Sequence, residues 1–138
     1  MPVRLLPATK STYRLEKSDA EYQTDAPTIV EVRLATQGAV EARNELFAEF
    51  KREYEGSKVT VSQRLSFDDV RRKEVFLTLA ACNIEAEDGK PLFTFSNERL
   101  DDEGKFKNAW NQLPPMVASE IHEKVLESNV VWKNLGED

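Results

Sequence analysis

The chain has 138 residues, of which 40% are apolar and 32% charged, with a formal net charge of -6. That is the length of one domain, with enough apolar residues to bury a core without disulfides or a metal. An acidic chain lacks the basic face that phosphate binding needs, and no run approaches the ~18 apolar residues of a membrane span, so neither nucleic acid nor a membrane is expected as a partner. The opening residues show no apolar signal core, which points to an intracellular protein. A single cysteine, Cys82, excludes an internal disulfide and a cysteine-built zinc site. A single histidine, His122, excludes most metal and triad chemistry, so the composition describes a protein without a cofactor that is not an enzyme. Residues 1–84 carry 13 basic and 13 acidic side chains, whereas residues 85–138 carry 6 and 12, so the whole net charge lies in the second part.

Residues 1–27 read as an N-terminal arm, mobile unless docked on a partner, with prolines at Pro2, Pro7 and Pro27 and no sustained period. Val3, Leu5 and Leu6 in it could add a short edge strand. A single globular domain is expected over 28–138. Its first element is the alternating TIVEVRLA, a strand near 29–34 with Val30, Val32 and Leu34 on one face. Thr36 then caps a helix over 37–55, whose stripe is Val40, Leu46, Phe47, Phe50 and Tyr54 and which Gly56 ends. The β-branched KVTVS over 58–62 reads as a second strand. Ser66 and Asp69 form a weak capping box for a helix over 67–82, with Val70 and Leu77 facing inward.

Asp88-Gly89 is a tight-turn signal that makes 83–95 a hairpin. Ser96 is a candidate cap for a short helix, Asp101–Gly104 reads as a loop, and Phe106 and Trp110 form a helical pair. Pro115 opens a last helix over 115–129, with Val117, Ile121 and Val125 in one row and Asn129 as its C-terminal cap. The fold class is therefore α+β and helix-dominated, with about three main amphipathic helices, short strands and a hairpin. The expected core is Val32, Leu34, Val40, Phe47, Phe50, Val70, Leu77, Ile121 and Val125.

No constellation carries catalysis or metal binding. His122-Glu123 opens like a zinc-protease motif, but Leu126 stands where the second histidine belongs. The acids of Asp101–Glu103 lack the terminal bidentate glutamate of a calcium loop, since the twelfth position is Gln112. Arg71-Arg72-Lys73, the one basic triplet, spreads around a helix rather than lining one face. Cys82 reads as a buried, inert thiol. The residues singled out for a partner are Trp110, Leu113 and Trp132, which flank the last helix, and the acids Glu120, Glu123 and Glu127 on it. Acids without compensation beside aromatic anchors suit a basic, partly apolar helix.

The order of these features resembles the tail assembly chaperones of long-tailed bacteriophages. The resemblance rests on TIVEVRLAT leading into VEARNELFAEFKREY, then VFLTLAACNIEAEDGKPL, then AWNQLPPMVASEIHEKVLESN, and covers about residues 28–129. It implies a protein of the host cytoplasm, without active site or cofactor, that binds a long helical tape-measure protein and helps recruit tail-tube subunits. A homo-oligomer is compatible with that role. Two other readings remain open at this point: a structural virion protein such as a tail-tube or connector subunit, or a small acidic inhibitor of a host protein.

Overall fold

The computed structural model describes residues 10–46, 67–130 and 132. Its first element is a strand, β1 (Lys10–Arg14), followed by a short helix, α1 (Glu16–Tyr22). The alternating segment forms β2 (Ile29–Arg33), which pairs antiparallel with β1 from Lys10↔Arg33 to Arg14↔Ile29. Residues 10–27 are thus part of the sheet and its covering, and no boundary falls at residue 28. Leu15, between β1 and α1, is fully buried, and its N–H bonds the Thr28 carbonyl at 2.9 Å.

Val30 and Val32 are fully buried, as the alternation requires, but Leu34 is 56% exposed. The ladder ends at Arg33, so the alternation no longer aims the next side chain at the core. Arg33, expected on the outer face, is buried, and its Nη2 donates to the Leu77 carbonyl at 3.0 Å. Helix α2 covers residues 37–46, and Thr36 caps it as expected, its Oγ1 accepting from the Ala39 N–H at 3.2 Å. The rest of the expected helix, with Phe47 and Phe50, lies outside the described residues, as do Val3–Leu6, the strand over 58–62 and the Ser66 cap.

Helix α3 (Phe67–Thr78) runs straight into a strand, β3 (Leu79–Cys82), where the sequence predicts helix to residue 82. Two contacts explain the switch. Arg33 takes the Leu77 carbonyl, one of the helix's last, and the free edge of β2 offers a ladder to LAAC. Val32 pairs with Leu79 and Glu31 with Ala81, so Ala80 is the extra residue of a bulge. The sheet order is β1-β2-β3. Val70 and Leu77 are only half-buried, while Val75 and Leu79 are fully buried in their place.

Around Asp88-Gly89 the chain does turn back, with Gly89 at φ 81° and Leu92 N–H bonding the Ile84 carbonyl at 3.0 Å. The pairing is one bridge, Glu85↔Pro91, because Pro91 has no N–H to extend it. A second tight pair follows, β4 (Phe95–Ser96) and β5 (Arg99–Leu100), turning through Asn97 and Glu98 at φ 54° and 61°. Ser96 therefore lies in a strand and caps nothing. The acidic stretch expected as a loop instead starts helix α4 (Glu103–Trp110), with the Asp102 carboxylate accepting from the Lys105 N–H at 2.9 Å.

Helix α5 (Pro115–Ser128) matches its expected span, with Asn129 as its C-cap. It packs on α3, α1 and β2. Ile121 and Val125 are fully buried against the core formed by Val30, Val32, Val75, Leu79, Phe106 and Trp132. The architecture is mixed helix and strand, with five helices among the described residues where three main ones are expected from sequence. No helix among the described residues is long and apolar enough to cross a membrane.

Candidate functional site

Phe106 stacks on Phe76, Phe93 and Trp110 with ring centroids 5.6, 5.7 and 5.8 Å apart. That cluster fixes the end of α4, so the chain must turn sharply through residues 111–114 before Pro115 restarts it as helix. Trp110 and Leu113 are held at this turn and form the floor of an open groove of about 290 Å³ against α3. Ala118 and Pro115 of α5 continue the apolar floor, and Arg71, Arg72, Asn111 and Ser119 give the polar walls. On the other side of Leu113 lies a smaller, mostly apolar hollow, walled by Tyr22, Ile84, Pro114 and Val117. Tyr22, which lines the smaller hollow, is 51% exposed.

The polar wall carries two arginines, each paired with an aspartate of α3. Arg71 donates Nη2 to the Ser119 hydroxyl at 2.8 Å and Nη1 to Asp68 at 3.3 Å. Arg72 donates to Asp69 at 3.1 Å. These i,i+3 pairs are surface contacts, and the Asp68 side chain is 81% exposed. Such pairs are worth about 1 kcal/mol or less and exchange readily. The first turn of α5 opens beside the same groove, with no acidic residue in it and no side-chain cap from Pro114. A helix start carries partial positive charge.

The other residues predicted for a partner are placed elsewhere. Trp132 is fully buried at the far end of α5, with Arg43 over its ring at 5.9 Å. Trp110 precedes α5 and Trp132 follows it, and both are buried in the core. The three acids are each paired. Glu120 is buried, and its carboxylate accepts from Ser18 N–H at 2.8 Å, Ser18 Oγ at 2.7 Å and Lys17 N–H at 3.0 Å. It thereby caps α1 from another helix, since Leu15 offers α1 no side-chain cap. Burial alone would raise its pKa, but the Ser18 hydroxyl, the Lys17 and Ser18 N–H groups and the Lys124 charge hold it below the ordinary carboxylate value. Glu123 pairs with Lys17 at 3.2 Å and Glu127 with Lys124 at 3.7 Å.

A second polar cluster is buried among α2, α3 and α5. Glu74, 2% exposed, accepts from Arg43 Nε at 2.6 Å and bonds His122 Nε2 at 2.6 Å. His122 is thus the core-edge histidine its position on α5 suggests, and its partner Glu74 was not visible in the sequence. Among the described residues no group of three His, Cys, Asp or Glu side chains could hold a metal ion. Burial pushes the Cys82 thiol up to about 11, against a smaller lowering by the Ile84 N–H.

Of the residues that line the groove, Trp110 and Leu113 are legible in the sequence as partner residues, whereas Arg71, Arg72 and Ser119 are not. The signal was the basic triplet itself. Arg71 and Arg72 both face the groove, and only Lys73 turns away, to Glu103 at 3.1 Å. No protein-family model matches this chain, and none of the curated proteins or solved structures compared with it does.

Proposed function

We propose that this protein acts by binding another polypeptide rather than by catalysis, in the role its sequence layout resembles, that of a tail assembly chaperone. In that role it holds a long helical tape-measure protein and assists assembly of the tail tube. The observation that carries the reading is the groove, where Trp110 and Leu113 meet the walls of α3 and α5. An aromatic ring and a leucine at the floor, with polar side chains at the rim, is the arrangement that takes a helix by its apolar face. Its scale suits a few side chains of a partner segment, and the hollow beyond Leu113 extends the apolar strip.

The test is capture of the tape-measure protein of the same genome by the tagged chain on co-expression. Ser119 is exposed at the groove wall, so Ser119→Trp fills the groove without disturbing the core. Capture by the unmodified chain, abolished by Ser119→Trp with the far-UV spectrum unchanged, supports the reading. Undiminished capture by Ser119→Trp removes the groove from the function.

A further inference from the structure

An acidic chain has many carboxylates to offer a partner, yet the ones beside the aromatic anchors are engaged within the fold. Glu120 is buried against α1, and Glu123 and Glu127 make partly exposed pairs with Lys17 and Lys124 away from the groove lining. What the groove presents instead is the guanidinium groups of Arg71 and Arg72, each in a surface pair with an aspartate of its own helix. Asp68 is the single acid on its lining, and it stands well out in solvent.

We propose that the groove selects a partner segment that carries a carboxylate next to an apolar side chain, that is, an acidic amphipathic helix of another protein. This deepens the function proposed above and rests on it. The apolar side chain sits over Trp110 and Leu113. The carboxylate takes the place of Asp68 on Arg71 and reaches Arg72, whose planar forks bind carboxylates by paired N–H groups. Exchange of one exposed carboxylate for another costs little, because the intramolecular pairs are weak surface contacts. The chain as a whole carries a charge of -6 and disfavours the same segment, whereas the groove lining holds two arginines and one aspartate. The partner proposed is opposite in charge to the basic helix expected from the acids on α5.

The experiment titrates the full chain with a short, end-capped helical peptide bearing glutamates and leucines on one face. A twin with lysine for each glutamate, and inorganic phosphate, are the comparisons. Amide and indole N–H resonances locate the binding. The glutamate peptide should shift the Trp110 indole and the Arg71, Arg72 and Ser119 amides while leaving the Trp132 indole in place. It should bind roughly tenfold or more tightly than the lysine twin, with affinity falling as salt rises. Combining Arg71→Glu with Arg72→Glu should invert that preference, and the regained binding of the lysine twin shows that the variant is folded. Equal binding of the two twins, shifts confined to other surfaces, phosphate matching the peptide, or no shift at millimolar peptide each overturns the proposal. The two readings fail separately. If Ser119→Trp blocks capture of the tape-measure protein while the glutamate peptide does not bind, the chaperone reading stands without this specificity. If the peptide binds in the groove while Ser119→Trp leaves capture intact, the specificity stands and the chaperone reading of the groove falls.

Discussion

Replacing Glu120 by glutamine keeps the shape of the side chain and removes its charge, and the structure sets the cost. The carboxylate is 3% exposed and accepts three hydrogen bonds from the start of α1. Glutamine can still accept from Ser18 through its one oxygen, but its amide group then faces the Lys17 N–H, donor against donor. Loss of one hydrogen bond to a charged acceptor costs about 1.5–3 kcal/mol. Loss of a negative charge at a helix start adds about 0.5 kcal/mol. Glu120→Gln should therefore destabilise the protein by about 2–3.5 kcal/mol, which lowers Tm by roughly 6–12 °C at this chain length.

Urea unfolding followed by far-UV circular dichroism at about pH 7 measures it, with Glu127→Gln as the control. Glu127 lies on the same helix but is paired only with Lys124 at 3.7 Å, so its replacement should stay within about 0.5 kcal/mol. The pH dependence has a definite sign. The folded pKa of Glu120 lies below its unfolded value of about 4.3, so its contribution is fully present above that value. It is lost as pH falls through the folded pKa. The gap between the unmodified chain and Glu120→Gln should therefore be full at neutral pH and close in acid. A loss under about 0.5 kcal/mol at pH 7, or a gap that is unchanged in acid, refutes the cap across helices.

Glu74→Ala takes the buried carboxylate from Arg43 and His122 and should cost about 3–5 kcal/mol in the same assay; a loss under about 1 kcal/mol would mean the cluster is not a buried ion pair. Asn129→Ala removes the acceptor of the Ala35 N–H, 2.7 Å away, and the donor to the Arg33 and Val125 carbonyls, and should cost about 2–3 kcal/mol. Faster hydrogen exchange at the Ala35 amide accompanies that loss, and unchanged exchange there speaks against the bond. Cys82, with its thiol raised to about 11, should react slowly with a disulfide reagent in the native protein and rapidly in urea, and rapid native labelling would show it to be accessible and ionised.

Periodicity located what depends on local pattern and missed what depends on where the chain comes back to itself. The helix from Pro115 and the strand from Ile29 are long enough, and regular enough, to be read directly. Leu34 continues the alternation of Val30 and Val32, yet the ladder has stopped by then, and sequence carries no mark of that end. LAAC suits a helix as well as a strand over four residues, and the deciding factor is the open edge of β2, some fifty positions earlier. Asn97-Glu98 escaped notice as a turn because glutamate rarely takes positive φ.

The site divides along the same line. Trp110 and Leu113 were legible because an aromatic residue and a leucine before two prolines mark an anchored turn. The role of the charges was not, because each depends on a neighbour distant in sequence. On its own helix Glu120 sits three and seven residues from Glu123 and Glu127 and reads as part of a repelling row. In the fold it belongs to α1, about a hundred positions away. Arg71 likewise belongs with Ser119, forty-eight positions on. Net charge counts side chains without asking which of them are already engaged. A chain of charge -6 can therefore offer a groove walled by two arginines. The sign of a surface follows from which charges line it after folding, and this groove is lined by two arginines of α3 paired with partly exposed i,i+3 aspartates.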